Sequence, residues 1–534
     1  MNWPSPARRA VARGRWRLVL ALWSASTWLA PALAQTPAPV RLRPQTVEAL
    51  PGGLDATPML NDNNPELIVA PGILLSTFQG GRRLGAITLA DPTAHLDAPQ
   101  TGTFDLFSHH VYAGKPESLS STLWLAVVAA PRGEQPVQLR LLSGATALSQ
   151  SVDGKEAQAP FLPLPPVMPQ GLTPVWSGPG SRVATELLLR LPPSQRDWPA
   201  GWTLQPDTLT PLLVLPLPVR GLDPLLNGRN LQLRLNSDGP VDVATLAAFG
   251  PEGTPPPPAV WAQILAGGLS PKEHVPTPRG APGPMVYSRV SGVQRGATWT
   301  GRLTDPGQAS LSVSRAPISW PISALERGTL GTSQVQTAAL SPFYPGTAWA
   351  AHGNYGVTYA LTLPLRNDTR RPMRLALALE SPLKTQEALG GLRFRGAPAT
   401  EAGKPLAVGP VMFRGTVEVS GLDGPAGRPA GRQSFHLVQR AGQEGPPLGL
   451  VTLAPGATRQ LQVRLIYPAD ATPPQVLSLL PVPLPAAGDA PGPVVSPGSA
   501  SPAGGTTVAP GSPAAAPGPE AVKQSQVRPL SSDR

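Results

Sequence analysis

The sequence predicts a mainly all-β protein: two antiparallel immunoglobulin-like sandwich domains, a β-rich connector, one short helix and a disordered C-terminal tail. Three observations lead there. Apolar residues recur with period two rather than 3.6, the alternation that puts one strand face on a core and the other in water. Pro and Gly number 72 and 55 among 534 residues; Pro lacks an N–H and clashes with the preceding turn, which disfavours long helices. Hydrophobic residues make up 41% of the chain, enough to build cores at this length.

Residues 1–34 read as an export signal. Arg8, Arg9, Arg13, Arg15 and Arg17 form a basic start without an acid, Leu18 to Ala30 is apolar, and Ala32-Leu33-Ala34 offers a small-x-small cleavage site. The apolar run is short for a bilayer span and a helix would have to cross Pro31, so no transmembrane span is expected in the mature chain. The expected location is the periplasm, the cell envelope or the extracellular space. Cleavage removes five arginines and lowers the net charge from +11 to +6. There is no Cys, which excludes disulfides, Cys-ligated metals and Cys nucleophiles.

Between the ends, the reading divides the chain into an extended, loop-rich segment 35–103, a first sandwich region 104–250, a connector 251–346 and a second sandwich domain 347–480. In the first sandwich, Thr122 to Val128 and Val137 to Leu142 flank a polar turn. In the second, Thr358 to Leu365 and Met373 to Leu379 do the same. Period two turns Leu123, Leu125 and Val127 inward in one, and Tyr359, Leu361 and Leu363 in the other. Their neighbours Trp124 and Ala126 are too apolar for water and are expected to meet another element, the connector helix around Trp261 being one choice. Thr-Leu-x-Pro at 208–211 and again at 452–455 precedes a further strand about 90 residues after the start of each unit, which points to an internal duplication.

Two hairpins are expected in the intervening chain. One joins Leu231–Leu235 to Val241–Ala244 across Asn-Ser-Asp-Gly-Pro, and one joins 286–293 to 298–303 across Gln-Arg-Gly. The helix is placed from Pro256 to Ala266, with Thr254 as cap, prolines in its first turn and Gly267 as its stop. Residues 481–534 are rich in Pro, Ala, Gly and Ser and bury too little to offset chain entropy, hence the disordered tail.

Chemistry is sparse. His109 and His110, with Asp105 and His352, form one candidate metal or acid–base group, although neighbours in an extended strand point to opposite faces. Asp62 and Glu66, within Asn-Asp-Asn-Asn-Pro-Glu, are candidate calcium ligands, and Asx turns account for the same run without an ion. Ser381 and Lys384 have Ser-x-x-Lys spacing without its companion motifs. No P-loop, dinucleotide fingerprint, zinc helix or nucleophile elbow occurs, so no cofactor is expected. Basic residues are not interleaved with stacking aromatics, so nucleic acid is not an expected partner. Trp176, Trp198, Trp202, Trp299, Trp320 and Trp349 lie in turn-rich, Pro-rich segments, where they suit packing against proline or stacking on sugar rings.

Several phrases form a set: LRPQTVEALPGGLD (42–55), NPELIVAPGILLSTF (64–78), AHGNYGVTYALTLPLRNDT (351–369) and YPADATPPQVL (467–477). Over roughly 40–480 the chain resembles a domain-of-unknown-function family, DUF3370, of exported and mainly cyanobacterial proteins. The resemblance implies export and a β-rich body and supplies no catalytic residue. The expected function is an exported non-enzymatic protein that binds or organises a cell-envelope polysaccharide or protein. The alternative is an exported hydrolase or metal-dependent enzyme using the His109/His110 region.

Overall fold

The computed structural model describes residues 39–114, 121–150, 167–168, 178–191, 197–222, 225–283, 285–396, 400–401, 404–405, 410–425 and 428–484. The segment 1–34 expected to be an export signal, Trp176 and the residues from 485 on lie outside the described residues. The principal elements begin with β1 (Val40–Pro44), β2 (Pro58–Leu67), β3 (Gly72–Ser76), β4 (Gln100–Ala113), β5 (Ser121–Pro131) and β6 (Val137–Leu148). Helix α1 (Pro179–Leu189) precedes β7 (Gly201–Leu204), β8 (Thr210–Leu217) and β9 (Leu226–Pro251), and α2 (Pro258–Ala266) follows. Next come β10 (Val290–Arg295), β11 (Thr298–Arg302), β12 (Ile318–Ile322), β13 (Leu340–Phe343), β14 (Thr358–Arg366) and β15 (Met373–Glu380). The last are β16 (Gly391–Arg395), β17 (Val411–Ser420), β18 (Gln433–Arg440), β19 (Gly449–Leu453), β20 (Thr458–Ile466) and β21 (Gln475–Pro481). The protein is mainly β, and no helix among the described residues is long and apolar enough to cross a membrane.

Ten strands form one large sheet. Its main path runs β7-β6-β9-β4-β2-β10-β13, with β5 and β3 on the far half of β9 and β8 on β5. The long β9 bends at 237–241, so its two halves face each other across a core. Leu231, Leu233 and Leu235 from one half meet Val241 and Val243 from the other, together with Phe104, Leu106, Val127 and Leu139. A second pair of sheets shares a single larger core. An eight-stranded sheet built on β18-β17-β20-β14-β11 supplies Tyr359, Leu361, Leu363, Leu461 and Val463. A five-stranded sheet built on β12-β21-β15-β19 supplies Ile318, Leu375, Leu377, Leu477 and Leu479. Met59 and Phe107 of the first sheet also reach this core.

The inward sets fall where period two puts them: Leu123, Leu125, Val127, Tyr359, Leu361 and Leu363 are all buried. Trp124 and Ala126 pack with Trp261 and Leu265 of α2, so the connector helix covers the outer face of β5. Partners along the strands differ from the hairpin expectation. Asn-Ser-Asp-Gly-Pro is a bend inside β9 and not a turn between paired strands, because each half of β9 finds other partners. Likewise β10 pairs with β2 and β13, whereas β11 pairs with β14. The Gly296 backbone, at φ 120°, sends the chain from one sheet to the other. Helix α2 begins after Pro257 rather than on a Thr254 cap and ends where Gly267 N–H bonds Ile264 O. The helix α1 has no counterpart in the period-two reading.

Candidate functional site

Strand β4 alternates as its sequence dictates. Ser108 and His110 point into the first sheet's interior, while Asp105, Phe107 and His109 lie on the other face. Asp62 of β2 stands opposite Ser108 in parallel pairing, and its Oδ2 lies 2.8 Å from His110 Nε2. Both side chains have zero exposure. The Ser108 hydroxyl donates to the same oxygen at 3.4 Å, and Asp62 Oδ1 and His110 Nδ1 have no hydrogen-bond partner. Glu66, on the same strand, accepts the Glu273 and His274 N–H groups at 2.6 and 3.1 Å. Arg289 is 1% exposed and donates to Ser270 O and Pro271 O; burial pushes its guanidinium down from its ordinary range, and the charges of Asp62 and Glu66 oppose that only in part.

The other candidates do not converge on this pair. Asp105 is bound by Arg234 at 2.8 and 3.3 Å. Burial pushes the imidazoles of His109 and His352 down to about 4, so both are neutral at pH 7. The His352 ring meets Tyr287 edge-on at 4.5 Å. Ser381 donates its hydroxyl to Gln439 Oε1 at 3.0 Å. Among the described residues, no group of three or more His, Cys, Asp or Glu is arranged to hold a metal ion.

A surface cleft that single-strand patterns do not reveal lies beside α1. It has a volume of about 690 Å³ and is lined by Trp198, Leu142, Leu191, Ile466 and three arginines, Arg190, Arg234 and Arg464. Helix α1 forms one wall. Pro179 opens it, and Asp470 Oδ2 accepts the Ser181 N–H at 2.6 Å, capping from outside the helix's own sequence neighbourhood. Burial pushes the Asp470 carboxyl up to about 6, against the pull of the Ser181 and Gly180 amides and of Arg414. Val183 packs on Ala145 and Ala147 of β6, whereas Ala184 and Leu188 pack on Ile466 of β20. The helix therefore bridges the first sheet and the eight-stranded sheet. Trp198 lies across β6 at Gly144, where an added Cβ would come within 2.8 Å of the indole and of Leu233. Gln232 reaches from the floor to Gly356 O at 2.8 Å.

A smaller pocket is lined by Tyr287, Trp349, His352 and Arg327. The Arg279 guanidinium covers the Trp349 ring at 4.7 Å. Of the other tryptophans, Trp299 and Trp320 are buried, and Trp202 packs against the first core.

No curated protein matches the chain. The profile of the family described as "Protein of unknown function (DUF3370)" matches residues 45–481. With most of its length matched, from just after β1 to the end of β21, the chain belongs to this family.

Proposed function

We propose that the protein is exported and that it binds a cell-envelope polysaccharide without transforming it. The observation that carries this reading is the cleft beside α1. Its volume of about 690 Å³ falls within the usual range for ligand sites, and it combines an indole face with several converging polar side chains. An apolar ring face with a polar rim is what a sugar ring presents in complement. The basic, apolar and small-residue order of residues 1–34 supports export. The hydrolase alternative has weaker support, because the His110–Asp62 contact has no exposed atom for a substrate to reach, and in the looser His274–Glu66 contact, at 3.4 Å, Glu66 is already taken up by two backbone N–H groups. The test is retention of the mature chain, residues 35–534, on purified wall polysaccharide, alongside fractionation of cells. We expect retention on the polysaccharide at moderate salt and recovery with the envelope. A protein found free in the medium and unretained at low salt would overturn the proposal.

A further inference from the structure

We infer that the cleft beside α1 selects glycans whose sugars carry a carboxylate. This deepens the polysaccharide reading and rests on it. The argument is a charge count within the cleft. Five charged side chains line it: Arg190, Arg234, Arg464, Asp105 and Glu186. Both acids are already matched. Asp105 is held by Arg234 at 2.8 Å, and Glu186 by Arg182 at 2.8 Å. Two guanidiniums are left over. Arg190 has no ion pair among the described residues, and Arg464 has only Glu418 at 3.9 Å, beyond hydrogen-bond reach. Arg432 approaches that same Glu418 oxygen more closely, at 3.2 Å.

The two arginines not matched to an acid of the cleft are held by regular backbone. Arg190 is the C-cap of α1, at φ 52° and ψ 43°, with its N–H bonded to Glu186 O and Leu187 O. Arg464 lies on β20 two residues before Ile466, on the same strand face. Trp198 stands in the same cleft, seated by Gly144. A sugar ring stacked on the indole thus has guanidinium N–H groups within its own binding site. A planar guanidinium fork matches a carboxylate with two parallel hydrogen bonds, which a hydroxyl does not use. The ring supplies affinity for any sugar, and the arginines supply the preference for an acid.

The test uses the mature full chain and two probes of equal length: an oligogalacturonate and the same oligomer with its carboxyls reduced to alcohols. Binding is measured by calorimetry at low and physiological salt. The acidic oligomer should bind at least ten-fold tighter than the neutral one, with the gap narrowing as salt rises. Arg190→Gln and Arg464→Gln should each weaken the acidic oligomer about ten-fold and leave the neutral one unchanged. Trp198→Ala should weaken both. Equal affinity for the two oligomers would overturn the acid preference while leaving the polysaccharide reading in place. Binding of neither would overturn both. Tight acidic binding that is indifferent to Arg190→Gln and Arg464→Gln would put the site elsewhere and overturn the assignment, with unchanged melting temperatures showing that the variants are folded.

Discussion

In the group β5, β6, β7, β8 and β9, the first strand pairs with the fourth, and the second pairs with the third and the fifth. The group β14, β15, β19, β20 and β21 pairs in the same pattern. Spacings agree as well: β8 starts nine residues after β7, and β20 starts nine after β19. Leu125 stands opposite Leu215, and its counterpart Leu361 stands opposite Val463. The groups diverge at their last strand. Strand β21 ends at Pro481, so β14 and β15 remain in separate sheets that face each other. Strand β9 runs on past Ser237 and pairs a second time, with β5, which welds both arms into one sheet. One extension of one strand therefore decides whether a shared pairing pattern gives two sheets or one.

The largest effect that would test this comparison lies in the cores. Leu361 is 2% exposed within one continuous apolar cluster between two sheets, whereas Leu125, at 8%, belongs to a small cluster. Leu361→Ala should lower unfolding stability by about 4 kcal/mol and Leu125→Ala by about 2. Urea midpoints at unchanged slope would read both. Equal losses would break the comparison, because the welded group would then be as tightly packed as the two-sheet group.

A smaller effect concerns the helix that bridges them. Asp470 is raised from 3.8 to about 6, so its contribution to stability is complete below pH 3.8 and is lost as pH rises through 6. His95, His109, His352 and His436 are lowered by burial from 6.5 to about 4. Their contribution is complete above pH 6.5 and is lost as pH falls to about 4. The two run in opposite directions, and four imidazoles outweigh one carboxyl, so the protein should weaken from pH 6.5 to 4. Asp470→Asn keeps an acceptor for the Ser181 N–H and removes the buried charge. It should raise stability at pH 7.5 by roughly 2 kcal/mol and steepen the acid loss. Melting temperatures across pH 4 to 8 would decide it, and an unchanged profile would remove Asp470 from the account.

The smallest effect sharpens the view of the weld. At the bend of β9, Asp238 Oδ1 accepts the Gln138 N–H at 2.8 Å. Asp238→Ala should cost about 1 kcal/mol or less and speed hydrogen exchange at Gln138 before any other amide of β6. Faster exchange throughout β6 would mean that the bend holds the whole strand.

The faces of the strands were legible and their partners were not. Alternation in β5 and β14 identifies Leu125 and Leu361 as interior because it depends only on local geometry. Pairing depends on which edges meet, and Asn-Ser-Asp-Gly-Pro has the same composition whether it turns a hairpin or bends one strand. Helix α1 did leave a trace: Pro179 at its start, Arg182 four residues before Glu186, and Val183 with Leu187 at helical spacing. In the sequence Asp62 and His110 stand out for different chemistry, and only the parallel pairing of β2 with β4 brings them together. The cleft left no local trace, since Trp198, Arg234 and Arg464 come from three distant segments.

The order of strands in the five-stranded sheet bears on how the chain acquires its shape. Strand β21, the last of the described strands to be synthesised, lies in the middle of that sheet, between β12 and β15. At the other end, β1 pairs with β16, and Arg43 reaches Glu380, 337 positions further along the chain. Contacts of such separation form late, because the loops they close are long. A nascent chain that stops at residue 470 has β12 and β15 with no strand between them. Completion of this sheet therefore waits for nearly the whole chain, and until then β15 can pair with β19 alone while the edges of β12 and β15 that β21 fills stay open.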